Sequence, residues 1–260
     1  MRIRLLVVLA AATVLAGAGA GTAAWAQAPG RPPTPPATTS APHVVLANEQ
    51  VRVQRLVLEP GAATPKHTHA HDHIGVALGD GEIADVAPDG TERRRTLVDG
   101  ALAFVPSGVV HSLRNVGDTT FRAVTIDLLN PQTGARNRCG ALAAGQPTDC
   151  PDKSAATAAK KKGGAMVPQM ETDQTLVSLL TLAPGARHEF KPAPSSPLVV
   201  ALEGTSATAI VELTLAGGAV GRGERPIEGG DALCPPPQTG VTLSNAGAAP
   251  ARFVVVEFSR

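Results

Sequence analysis

Four of the seven histidines stand at alternate positions in one short stretch, His67-Thr68-His69-Ala70-His71-Asp72-His73. On an extended strand, residues two apart share a face, so His67 and His69 can aim both imidazoles at one ion. Imidazole is a common ligand for divalent transition metals, and this spacing is hard to justify as packing. A flexible surface His tract would sit in a polar tail, whereas this cluster is embedded between strand-like segments. The chemistry indicated is metal binding.

The elements that must position these rings are strands. From Val44 to Leu129, short runs of Val, Leu and Ile are punctuated by Pro60-Gly61, Gly79-Asp80-Gly81, Asp89-Gly90, Asp99-Gly100 and Gly117-Asp118, the rhythm of antiparallel strands. Residues 131–166 lose this alternation and read as a linker carrying Cys139, Cys150 and a solvated Lys160-Lys161-Lys162 run. Patterning then resumes and continues to Phe258. The two patterned regions repeat one another. Asn48, Val53, Leu56, Leu58, Pro60 and Gly61 fall 124 positions before Thr172, Val177, Leu180, Leu182, Pro184 and Gly185. Gly100, Pro106, Leu113, Asn115, Gly117 and Arg122 fall 130 positions before Gly230, Pro236, Leu243, Asn245, Gly247 and Arg252. The change of offset implies one longer hairpin in the second copy. Two all-strand repeats of about 90 residues imply two sandwiches or small barrels.

Composition narrows the function. The chain has 260 residues, 43% of them apolar, and 23 Lys plus Arg balance 22 Asp plus Glu. With five Phe, one Trp and no Tyr, it offers neither a basic surface nor stacking rings for nucleic acid. Arg2 and Arg4, the apolar run Leu5 to Leu15, and Ala24-Trp25-Ala26 read as a secretory signal over residues 1–26, with an uncleaved anchor as the alternative. A Pro-rich spacer follows over 27–42. The expected location is periplasmic or secreted, with no stable membrane association after cleavage. An oxidising compartment would let Cys139 and Cys150 form a disulfide, the alternative being two free thiols. Cys234, in an apolar run, reads as a small buried hydrophobe.

The stretch Gly61-x5-His67-x-His69-x3-His73 resembles the first motif of the cupins, and Gly100-x5-Pro106-x-Gly108-x2-His111-x3-Asn115 matches their second motif at every defined position. The resemblance covers residues 43–130 well and 167–260 weakly, and is to the bicupins. It implies an all-β fold of two tandem cupin (double-stranded β-helix, jelly-roll) barrels, with both motifs converging on one divalent ion. Carried over, His67, His69 and His111 are the family's three His ligands, and His73 stands where the family has Glu. Because imidazole cancels no charge, a four-His site would attract an anionic ligand more strongly; alternatively, His73 turns away and the site has three His. His71 and Asp72 are candidates for an outer partner or proton carrier. The second copy places Lys191, Ala193, Pro197 and Val241 where His67, His69, His73 and His111 stand, and is expected to bind no metal.

Two functions follow from the resemblance. One is a metal-dependent enzyme of the dioxygenase type acting on a small, anionic molecule, with iron the leading metal and Mn, Cu, Ni and Zn as alternatives. The other is a non-catalytic periplasmic metal- or small-molecule-binding cupin. Either leaves room for a homodimer.

Overall fold

Val-, Leu- and Ile-rich runs broken by glycine turns form strands throughout. The computed structural model describes residues 40–150, 164–214 and 220–259, and no helix occurs among them. The expected signal, most of the Pro-rich spacer and the Lys160 to Lys162 run lie outside the described residues. The first half contains β1 (His43–Ala47), β2 (Val51–Leu58), β3 (His67–Thr68), β4 (Asp72–Leu78), β5 (Gly81–Val86), β6 (Glu92–Leu97), β7 (Leu102–Val105), β8 (Val110–Asn115) and β9 (Phe121–Leu128). The second contains β10 (Arg136–Asn137), β11 (Gly164–Glu171), β12 (Thr175–Leu182), β13 (Arg187–Phe190), β14 (Leu198–Ala201), β15 (Ser206–Thr214), β16 (Val220–Glu228), β17 (Ala232–Leu233), β18 (Thr239–Ser244) and β19 (Ala251–Phe258).

The sheets repeat as the sequence does. β1-β2-β9-β4-β7 and β3-β8-β5-β6 form the first barrel; β10-β11-β12-β19-β14-β17 and β13-β18-β15-β16 form the second. The β5–β6 ladder has six residue pairs and the β15–β16 ladder nine, so three extra residues per strand account for the change of offset. Strand structure also reaches into residues 131–166. β10 and the start of β11 lie there, and Cys139 and Cys150 are joined in a disulfide.

Alternation along each strand sorts side chains between two cores. In the first barrel Leu56, Leu58, Ala77, Ile83, Phe121 and Ala123 point inward. Val51, Val53, Ile74, Val76, Val124 and Ile126 point outward, where they pack on Val177, Leu198, Val200, Val254 and Val256 of the second barrel. Arg55 to Asp231, Arg122 to Glu203 and Arg252 to Asp99 flank this interface. Gly100 and Gly230 show why their motif position needs glycine. Both have positive φ, and a Cβ would stand 2.7 Å from Leu202 Cδ1 and 3.1 Å from Leu78 Cδ1, respectively, in the opposite barrel. Asn115 and Asn245 also have matched roles. Their side-chain amides donate to Leu58 O and Thr119 O, and to Leu182 O and Ala249 O.

Candidate metal centre

β3 and β8 pair so that His67 lies directly opposite His111. His69 follows β3, its N–H donating to Val109 O and its carbonyl accepting from Gly108 N, which ties it to the turn before β8. His73 comes from the other sheet, where β4 sets it opposite Asp127 of β9. Ring centroids are 4.9 Å apart for His67 and His69, 4.8 Å for His67 and His111, 4.9 Å for His69 and His111, and 4.5 Å for His69 and His73.

Three of the rings have Nδ1 committed to an oxygen acceptor. His67 Nδ1 donates to Pro65 O at 2.9 Å, His73 Nδ1 to Asp127 Oδ1 at 2.9 Å, and His111 Nδ1 to Asp85 Oδ1 at 2.7 Å. A proton held on Nδ1 leaves the lone pair on Nε2, the form that binds a metal. The Nε2 atoms of His69 and His111 are 2.9 Å apart. Two nitrogens bound at ~2.1 Å to one ion at a right angle would be about 3 Å apart, so the spacing suits adjacent ligands. The donor set fits a transition-metal ion. The ligand atoms of His67, His69 and His111 all lie within 4.8 Å of one another, and those of His69, His73 and Asp127 form an adjoining set. The four expected ligands are thus brought together but divided, with His69 common to both sets.

Two carboxylates that sequence reasoning missed organise these rings. Asp127 Oδ1 holds His73, while Oδ2 accepts from Arg52 Nε at 2.9 Å, Arg52 Nη2 at 2.6 Å and Gln54 Nε2 at 3.3 Å. Burial pushes the Asp127 carboxyl up, but the hydrogen bonds from His73 and Arg52 outweigh it and hold it below the ordinary carboxylate value. Asp85 is held low chiefly by its hydrogen bond to His111, with Arg95 Nη2 3.7 Å away adding to the effect. Each acid is matched by an arginine. An ion on the imidazoles would therefore keep its charge. His69 is lowered from 6.5 to about 4, first by burial and then by the neighbouring imidazoles of His73, His111 and His67.

Asp72 does not serve as an outer partner of the cluster. It is buried at the start of β4, with Oδ1 accepting the Ser107 N–H and Oδ2 the Gln132 N–H, so it ties together two loops. His71 is half-buried and outside the cavity wall. That cavity, about 330 Å³, opens over the cluster and is lined by Arg52, Gln54, Leu56, Thr64 and the four rings, His67, His69, His73 and His111. The only local hint of the missed acids is a charged residue interrupting an apolar strand, as in Ala123-Val124-Thr125-Ile126-Asp127.

In the second barrel Val241 stands opposite Phe190, replacing the His111 and His67 pair. Phe190, rather than Lys191, thus occupies the His67 position. Pro65 and Lys66 place one extra residue between the Thr64 to Leu113 bond and the His67 to His111 pair, and β13 lacks it. Val199, Phe253 and Val255 stand where the first barrel has Gly75, Ala123 and Thr125. An open cleft of about 580 Å³ remains at this barrel's mouth, lined by His188, Lys191 and Glu257 among others. Among the described residues, neither metal-capable set lies there. Cys234 packs half-buried against the inter-barrel core, and burial raises its thiol pKa.

A family model for the cupin domain matches residues 54–127. Beta-alanine degradation protein BauB of Pseudomonas aeruginosa is 38% identical over 74 residues, covering 28% of this chain and 77% of BauB. The structure of AerE from Microcystis aeruginosa is similar with a TM-score of 0.55 at 14% identity, covering 84% of this chain and 97% of AerE. Oxalate decarboxylase OxdC of Bacillus subtilis gives 0.53 at 15% identity over 81% of this chain and 70% of its own. Vicilin from Capsicum annuum gives 0.54 at 14% identity over 80% and 75%. These structures share the two-barrel fold. With both motifs in place on paired strands and a relative matched over most of its length, the chain belongs to the cupin superfamily, as a bicupin.

Proposed function

We propose that this is an exported, metal-dependent cupin enzyme of the dioxygenase type, holding one divalent ion of the iron kind on His67, His69 and His111. The observation that carries the reading is the shared tautomer of His67 and His111, whose Nδ1 protons are both fixed on oxygens while His69 and His111 face each other through Nε2. When bound, the ion would supply Lewis acidity and, if redox-active, oxygen chemistry. Asp85 and Asp127 orient His111 and His73. Leu56, Leu113, Pro42 and Pro65 give part of the cavity wall an apolar lining, and Arg52 stands in the same wall with its charge matched by Asp127. Because the acids are already matched by arginines, the charge of an ion is left for an anionic small molecule. A relative named for degradation of β-alanine, a small amino carboxylic acid, is in keeping with such a substrate.

The test is metal analysis of full-length protein purified from its native compartment without chelator, followed by oxygen-uptake assays with small carboxylic acids. One equivalent of iron, manganese or copper and substrate-dependent uptake are expected. A filled site with no exchangeable water and no turnover would favour the non-catalytic binder.

A further inference from the structure

Asp127 of the first barrel has an acidic counterpart in the second. β19 sets Glu257 opposite Leu176, just as β9 sets Asp127 opposite Arg52. β14 sets Leu198 opposite Val256, so Pro197 comes beside Glu257 at the place where His73 meets Asp127. Leu176 and Pro197 thus replace the acid's partners, while the acid itself stays. Phe253 and Val255 belong to the core inside the second barrel, and alternation along β19 puts Glu257 on the same inner face. His188 comes from the other sheet, on the face of β13 that carries the buried Phe190, and the two rings meet edge-on with centroids 4.5 Å apart. Both Glu257 and His188 line the open cleft of about 580 Å³ at the barrel's mouth.

Neither group is matched. Burial pushes the Glu257 carboxyl up and the His188 imidazole down, and it acts alone in each case, since no hydrogen bond or ion pair among the described residues engages either side chain. In the first barrel, by contrast, hydrogen bonds from His73 and Arg52 outweigh the burial of Asp127. A carboxylate accepts at both oxygens and a neutral imidazole at one nitrogen, so the mouth offers acceptors that call for a donor. At the rim Lys191 and Glu189, both exposed, offset one another and leave Glu257 to set the sign of the cleft. The missing partner is therefore a cation that donates hydrogen bonds. It is organic rather than metallic, because Glu257 and His188 form no metal-capable set among the described residues. An ammonium group carries three donors, and Met166, Phe190 and Pro197 give an attached carbon chain an apolar wall. We propose that the mouth of the second barrel binds a small primary amine, its ammonium on Glu257 and His188 and its hydrocarbon against Met166, Phe190 and Pro197. This goes beyond the proposed function, because no metal ligand takes part.

The test titrates full-length protein, chelator-treated and metal-loaded, with benzylamine, and with benzyl alcohol and benzoate as uncharged and anionic controls. Binding is followed by the ¹³C-methyl signal of Met166, identified with Met166→Leu, which reads this cleft directly, while the buried Met170 reports the fold. Benzylamine is expected to shift the Met166 signal at one per chain, equally with and without metal, and about tenfold or more tightly than either control. Glu257→Gln should remove that advantage. Lys191→Glu, a change at an exposed position, should tighten the amine about two- to fivefold by replacing a like charge with an opposite one. Equal affinity for benzylamine and benzyl alcohol, preference for benzoate, or an amine affinity unmoved by both Glu257→Gln and Lys191→Glu would overturn the inference while leaving the metal reading intact. Variant-sensitive amine binding by a chain that takes up no metal would uphold it and remove only the proposed function.

Discussion

The two barrels share strand order, turn glycines and the Asn115 and Asn245 braces, yet one encloses a cavity beside four imidazoles and the other is filled at the same positions. The difference lies in a few inward positions. Gly75, Ala123 and Thr125 leave room in the first barrel, while Val199, Phe253 and Val255 fill the same places in the second. The pair His67 and His111 becomes Phe190 and Val241, both buried. A barrel can thus exchange a site for a core without altering its strands, because period-two alternation isolates the inner face from the outer.

The largest effect expected from this contrast is on metal binding. His69→Ala or His111→Ala should weaken it by roughly a thousandfold or more, whereas Val241→Ala should leave it unchanged. Metal titration of the full-length variants checks this, and an unaffected His111→Ala protein would break the contrast at its centre. Packing gives the converse. Phe253→Ala should destabilise the chain by about 3–5 kcal/mol in denaturant unfolding, since it empties a filled core. Ala123→Phe, which copies the second barrel into the first, should fill the cavity of about 80 Å³ that Ala123 lines behind His73 and His111, and a crystal structure of the variant checks this.

Acidity should act more strongly on the first barrel, although burial also lowers His188 of the second, which works in the same direction. His69 has a folded-state value of about 4 against an ordinary 6.5, so between these values the unfolded chain binds more protons than the folded one. Stability of chelator-treated protein should therefore fall as pH drops from about 6.5 to about 4, by up to about 3 kcal/mol. His69→Gln should flatten that slope. The smallest effect belongs to the outer carboxylates. Asp85→Asn should reduce metal affinity by about 10–100-fold, because the His111 ring it orients remains present, whereas Asp127→Asn, which acts on His73, should leave the affinity of a three-His site nearly unchanged.

Much of this was legible in the sequence. The repeat and the longer β15–β16 hairpin follow from spacing, both motifs are legible through the resemblance they carry, and the Cys139 to Cys150 bridge is one of the two readings that their loop leaves open. Asp85 and Asp127 were not, because each reaches its histidine through strand register across 26 and 54 residues rather than through a local pattern. The match of Lys191 to His67 fails for a related reason: a constant offset cannot register one extra residue at Pro65-Lys66, and a slip of one changes which face a side chain takes.

The apolar face between the barrels carries one more consequence. Two separate chains meeting through such a face would come apart once diluted below their dissociation constant, uncovering Val51, Val53, Ile74 and Val124 on the sheet that carries His73. Joined in one polypeptide, each barrel meets the other at an effective concentration set by the connecting chain, independent of how dilute the protein becomes. The second barrel is then a permanently bound subunit, and the exchange of a His67 and His111 pair for Phe190 and Val241 takes nothing from that role.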